Sequence, residues 1–180
     1  ELLRTNRSGA YSCSTIVDCN TRKYHGLLVV PVPELDKENH VLLSSLDATV
    51  IQHGAAFNLG LHKYHGGNFS PNGHKYIREF DCDRVPTTIY RVGNAVLKKE
   101  VVFQHYEDRI LVRYTLLDGQ GTTLLQFRPF LAFRSVREFT HENAAINREF
   151  HNVENGIATC LYNGYPHLYM QFSKDNEFHY

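Results

Sequence analysis

Tryptophan is missing from this 180-residue chain, and methionine occurs once. Tryptophan offers the largest flat face for stacking on a sugar ring. Its absence argues against a free-standing carbohydrate-binding module. No charge of one sign prevails either: 19 basic residues meet 19 acidic ones, with no basic stripe and no acidic block. A nucleic-acid surface and a membrane-binding face are therefore not expected. The longest aliphatic runs, such as Leu27 to Val30, fall far short of a membrane span. There is no Gly-x-Ser-x-Gly elbow, phosphate-binding glycine loop or dinucleotide fingerprint. Cysteine is sparse. Cys13, Cys19, Cys82 and Cys160 form no Cys-x-x-Cys pair and match no zinc spacing. Free buried thiols in a reducing, cytoplasmic compartment are the simplest reading, and neither a metal nor a cofactor is called for.

Short apolar runs punctuated by turn residues are abundant, and helical periodicity is hard to find. Strands are expected at Ser12 to Val17, Leu27 to Val30, Val41 to Gln52, Tyr76 to Phe80 and Ile89 to Val92. Further ones are expected at Val96 to Phe103, Arg109 to Leu117, Thr122 to Phe133, Ile157 to Tyr162 and Tyr165 to Phe172. Gly93-Asn94 is a two-residue hairpin signal. Asn155-Gly156 and Asn163-Gly164 predict three antiparallel strands in a row, and Asp118-Gly119 joins two more. Pro129 should sit at a sheet edge, a strand end or a bulge. Such spacing predicts an all-β chain, an antiparallel β-sandwich occupying residues 1–180 as one domain. His53 to Gly73, rich in Gly, His and Asn, reads as a long surface excursion.

Three places carry candidate chemistry. The first is Asn20-Thr21-Arg22-Lys23-Tyr24-His25-Gly26, a polar loop entering the aliphatic run Leu27 to Val30. Asn20, Thr21, Arg22, Tyr24 and His25 suit the hydroxyls of a sugar or the carboxylate of a neighbouring domain, and they equally suit capping of the loop's own backbone. Gly26 permits an unusual backbone angle or a close approach. The second is Glu79, Asp81 and Asp83, whose alternation puts three carboxylates on one strand face. They read as a solvated face with Arg78 and Arg84 as counter-charges rather than as a calcium site or a hydrolytic pair. The third is His62, His65 and His74, whose spacing fits no ligand pattern. Ser14, Asp18 and His25 can be drawn as a triad, but 11 histidines allow many such drawings.

The opening Glu1-Leu2-Leu3-Arg4-Thr5-Asn6, then Gly9-Ala10-Tyr11-Ser12 and Ser14-Thr15, together with Asn20 to Leu28 and Val41 to Ser44, resembles a known family. It is similar to the amino-terminal domain of the bacterial and archaeal type of glycogen debranching enzyme, amylo-α-1,6-glucosidase. That family opens roughly Glu-Trp-Leu-x-Thr-Asn-Gly-x-Gly-Gly-Tyr and continues Asn-Thr-Arg-Arg-Tyr-His-Gly-Leu-Leu. Pro71-x-Gly73, Tyr76, Phe80, Tyr114 and the Arg128 to Arg134 segment also fit. Leu2 stands where the family has Trp, Arg7 and Ala10 where it has Gly, and Lys23 where it has a second Arg.

The resemblance implies a supersandwich-like β domain packed on a carboxyl-terminal (α/α) barrel. That barrel would hydrolyse α-1,6 branches of an α-glucan with paired carboxylates in glycogen catabolism. This chain would then be non-catalytic alone, with Asn20, Thr21, Arg22, Tyr24 and His25 facing the barrel or its substrate. Because the sequence starts at Glu1 rather than Met, it reads as part of a longer chain. An isolated domain of this kind is expected to self-associate as a homodimer through the face the barrel would cover. An autonomous glycan-binding module and an aldose epimerase-like enzyme are the rival readings.

Overall fold

A computed structural model describes residues 1–173. It is 52% strand and 4% helix, and every strand pairing is antiparallel. The all-β expectation holds. No helix among the described residues is long and apolar enough to cross a membrane.

The largest sheet has six strands. β1 (Leu2–Thr5), β2 (Tyr11–Ser14), β3 (Gly26–Pro31) and β4 (Asn39–Gln52) lie in sequence order, and β5 (Ala55–Asn58) folds back on the end of β4. β6 (His62–Lys63) and β7 (Phe69–Ser70) make a small ribbon, so the predicted excursion contains short strands of its own. β8 (Ile77–Asp81), β9 (Thr87–Val92), β10 (Ala95–Phe103) and β11 (Ile110–Asp118) form a four-stranded sheet in the order β11-β10-β9-β8. β12 (Thr123–Ser135) returns to the first sheet and pairs with β4 along its length. β13 (Phe150–Val153), β14 (Gly156–Thr159) and β15 (Leu168–Gln171) are the predicted three strands in a row.

The turns follow the sequence signals in part. Val92 pairs with Ala95 across Gly93-Asn94, and Gly93 has φ 56°. At the next signal, Val153 pairs with Gly156, so the turn residues are Glu154 and Asn155, with Asn155 at φ 53°. Gly156 is needed for another reason: a Cβ there would stand 2.1 Å from the Met170 carbonyl oxygen. Asn163-Gly164 lies within a longer connection rather than a two-residue hairpin, and Asp118-Gly119 leads from one sheet to another. Pro129 sits on β12, the last strand in its sheet's order, and edge strands tolerate proline.

Two buried clusters fill the interior. Ala48, Val50, Leu59, Tyr90, Val92 and Leu97 pack between the six-stranded and four-stranded sheets. Leu28, Val30, Leu42, Leu43, Phe103, Phe133, Leu161 and Leu168 join the six-stranded sheet to the far end of β10 and to the β14–β15 region. The 14 residues of β4 feed both clusters. Between Leu43 and Ala48 the strand reads Ser44-Ser45-Leu46-Asp47, a polar interval at the centre of the interior.

The four thiols are free. Cys13 and Cys19 are buried and Cys160 is half-buried, as the sequence suggested, but Cys82 is exposed.

Candidate functional site

The Asn20–Gly26 loop joins β2 to β3, and much of its polarity is spent on holding its own shape. Asn20 donates from Nδ2 to the Ser44 carbonyl at 2.7 Å and to Ser44 Oγ at 3.1 Å, and its Oδ1 accepts from Ser14 Oγ at 2.7 Å. His25 is fully buried. Its backbone N–H donates to the Arg22 carbonyl at 3.1 Å, closing the turn. Gly26 allows a close approach rather than an unusual φ: a Cβ there would meet Val29 Cγ2 at 2.7 Å and Val41 Cγ1 at 2.8 Å.

The His25 ring fixes the outer side of the loop. Nδ1 lies 3.0 Å from the Thr21 backbone nitrogen, and a backbone amide can only donate, so Nδ1 accepts. The neutral ring therefore carries its proton on Nε2, which donates to Glu1 Oε1 at 3.1 Å. Tyr24 Oη reaches both oxygens of the same carboxylate at 3.2 Å. The Tyr24 and His25 rings meet edge to face, with centroids 5.2 Å apart. The hydrogen bond from His25, ahead of that from Tyr24, holds the Glu1 carboxyl below the usual carboxylate range against the opposing pull of desolvation. Desolvation, then the bond to Glu1, raises the Tyr24 phenol.

Cys13 Sγ lies in the same cluster. The ligand atoms of Glu1, Cys13 and His25 all fall within 4.8 Å of one another, a spacing that metal ligands share. The Thr21 amide speaks against that use. A metal on Nε2 would require the proton on Nδ1, where it would confront the Thr21 N–H. Burial, then the Glu1 carboxylate, also pushes the Cys13 thiol up and away from the thiolate a metal needs.

Thr21, Arg22 and Tyr24 face outward. Arg22 approaches Glu1 Oε1 at only 3.8 Å and keeps its guanidinium largely in solvent, so this contact does little for stability. Lys23 donates to the Arg137 carbonyl at 3.1 Å and lies 5.0 Å from the Phe139 ring centroid, joining the loop to the chain beyond β12. Beside the loop, an open groove of about 500 Å³ follows β1 and β2, lined by Leu3, Thr5, Tyr11, Cys13 and Tyr24 among others.

The other sequence candidates separate. Glu79 and Asp81 are exposed on β8, while Asp83 lies past the strand's end, so the three do not line one face. His62 lies 2.7 Å from Asp47 Oδ2 and packs on Phe130, whereas His65 and His74 are exposed in two 3-10 turns. Ser14, Asp18 and His25 each have a different partner: Asn20, Lys99 and Glu1 respectively.

Sequence reasoning names Asn6 only as part of the resemblance, without a role. It is completely buried, and its side chain accepts from the Ser8 and Ala10 amides and donates to the Glu107 carbonyl and Asp108 Oδ1. Its place at the end of the opening motif Glu1 to Asn6 is the one signal that pointed to it. Arg7, standing where the family has glycine, adopts φ 68° without one.

Fold and loop together define an antiparallel all-β domain with a braced polar loop at the start of a central strand. The sequence matches, over residues 1–180, the family described as glycogen debranching enzyme N terminal, and the chain belongs to that family. No curated protein and no solved structure matches it.

Proposed function

We propose that this chain is the non-catalytic amino-terminal domain, residues 1–180, of an α-1,6-glucosidase acting in glycogen breakdown in the cytoplasm. It packs on the enzyme's (α/α) barrel and shapes the rim of the barrel's α-glucan cleft. The family match over the whole chain supports the parent enzyme. The observation that carries the role is the loop itself. A fully buried His25 and an internally bonded Asn20 brace it, and that brace presents Thr21, Arg22 and Tyr24 outward beside the β1–β2 groove. Such preorganisation suits a positioned contact with a barrel carboxylate or a glucose hydroxyl. Four free cysteines agree with a reducing compartment.

Arg22→Ala in the full-length enzyme tests this. Debranching activity should fall at least several-fold while the melting temperature moves by no more than a degree or two, because the side chain makes one loose, exposed ion pair. Unchanged activity would remove the loop from the cleft.

A further inference from the structure

The polar interval of β4 opens onto a second site, whose wall includes the loop's anchor Asn20. Between the two sheets lies a cavity of about 60 Å³, bounded in part by Asp18, Ser45, Asp47, Tyr90, Lys99 and Tyr114. Lys99 comes from the middle of β10 and is only 6% exposed. Its Nζ donates to Asp18, the one acceptor it meets among the described residues. An ammonium carries three donors, so this deeply placed cation has bonding capacity to spare at the cavity wall. Asp18 is held in place for the pairing by a left-handed backbone, φ 55°, and by its N–H bond to the Thr15 carbonyl at 3.0 Å. Asp47 faces His62, and Gly60 lets the neighbouring backbone close over that carboxylate: a Cβ there would stand 2.3 Å from Asp47 Oδ2.

Buried ion pairs are poor devices for stability, because desolvation offsets their attraction. An apolar residue at position 99 would fill a sandwich interior at less cost. The charged side chains that line the cavity also balance in sign, Asp18 and Asp47 against Lys99 and Arg4. A matched set disfavours a charged guest. It leaves hydroxyl-sized donors and acceptors between tyrosine side chains, the mixture that suits a neutral polyhydroxyl ligand. The small volume admits a hydroxymethyl group or one edge of a ring rather than a whole sugar.

We propose that this cavity is a subsite for the end of a neutral sugar chain, an α-glucan end on the reading above, with Lys99 and Asp18 bonding its terminal hydroxyls. The inference rests on that reading for the sugar, but the two fail separately.

The test is hydrogen–deuterium exchange of the full-length protein with and without maltotriose. Residues 15–19, of which Thr15 and Asp18 line the cavity, should exchange several-fold more slowly, and the effect should saturate with sugar. Lys99→Met should weaken the apparent affinity of this protection at least tenfold. Asp18→Asn serves as a second variant, with the same expected weakening, should the methionine variant fail to fold. No protection at 15–19 at saturating sugar overturns the subsite. So does undiminished protection in a folded Lys99→Met or Asp18→Asn protein, or the same protection produced by inorganic phosphate. Protection confined to residues 21–25 also overturns it, while leaving the rim role of the loop standing.

Discussion

His25 shows how a residue that looks like a site residue becomes the support for one. Its ring is fully buried, with one nitrogen accepting from Thr21 and the other donating to Glu1. His25→Ala should cost about 2–4 kcal/mol through a cavity and two lost hydrogen bonds, read as a lower midpoint in urea. The Glu1 contact adds a pH dependence. Glu1's folded pKa is lowered, so its contribution is present above the unfolded carboxylate value and disappears as pH falls through the folded one. Glu1→Gln should therefore remove a small contribution at neutral pH, converge with the parent protein in acid, and so flatten part of the acid limb of the stability curve. Arg7 gives a prediction of the opposite sign. It occupies φ 68° on an exposed turn, so Arg7→Gly should stabilise by about 0.5–1 kcal/mol, measured as a raised urea midpoint.

The elements that sequence reasoning located well are those with a strong two-residue period or an aliphatic run. β4, β10, β11 and β12 fall within two residues of their expected ends, because each is an apolar-rich run bounded by turn residues. β1 was not expected, since Leu2–Thr5 is short and its two leucines are adjacent, which leaves no two-residue period to read. β6 and β7 were hidden inside a Gly- and His-rich segment, where two-residue strands leave no periodic signal. Of the candidate site, the loop's position was legible from its composition and the strand that follows. What was not legible was the division of labour within it: residue types do not say that Asn20 and His25 turn inward while Arg22 and Tyr24 turn outward. The Lys99–Asp18 pair was equally out of reach, because it joins positions 81 apart in the chain. Gly26→Ala probes the strand entry. With Val29 and Val41 both inside 3 Å of the added methyl, a loss of about 1–3 kcal/mol is expected in thermal melts.

At the level of the whole molecule, several tyrosines make alkaline pH the weak flank. Burial raises the Tyr11 phenol to about 12 and lifts Tyr90 and Tyr114 as well, with Lys99 opposing the shift in the latter two. A raised phenol contributes stability below its unfolded value of about 10. That contribution is lost as pH climbs through the folded value. Unfolding free energy should therefore decline between pH 10 and about 12, and Tyr11→Phe should recover part of the loss. Leu3 and Tyr24 are large, exposed and adjacent to the β1–β2 groove. An isolated domain should associate through that face in light scattering, and Leu3→Lys should shift it toward monomer.

The length of β4 has a consequence for how the protein comes apart. One uninterrupted ribbon of 14 residues is the keel to which both apolar clusters are fastened, with β12 riveted along one flank. Neither half can loosen without tugging the other's backbone out of register, so heat should dismantle the two together rather than in succession.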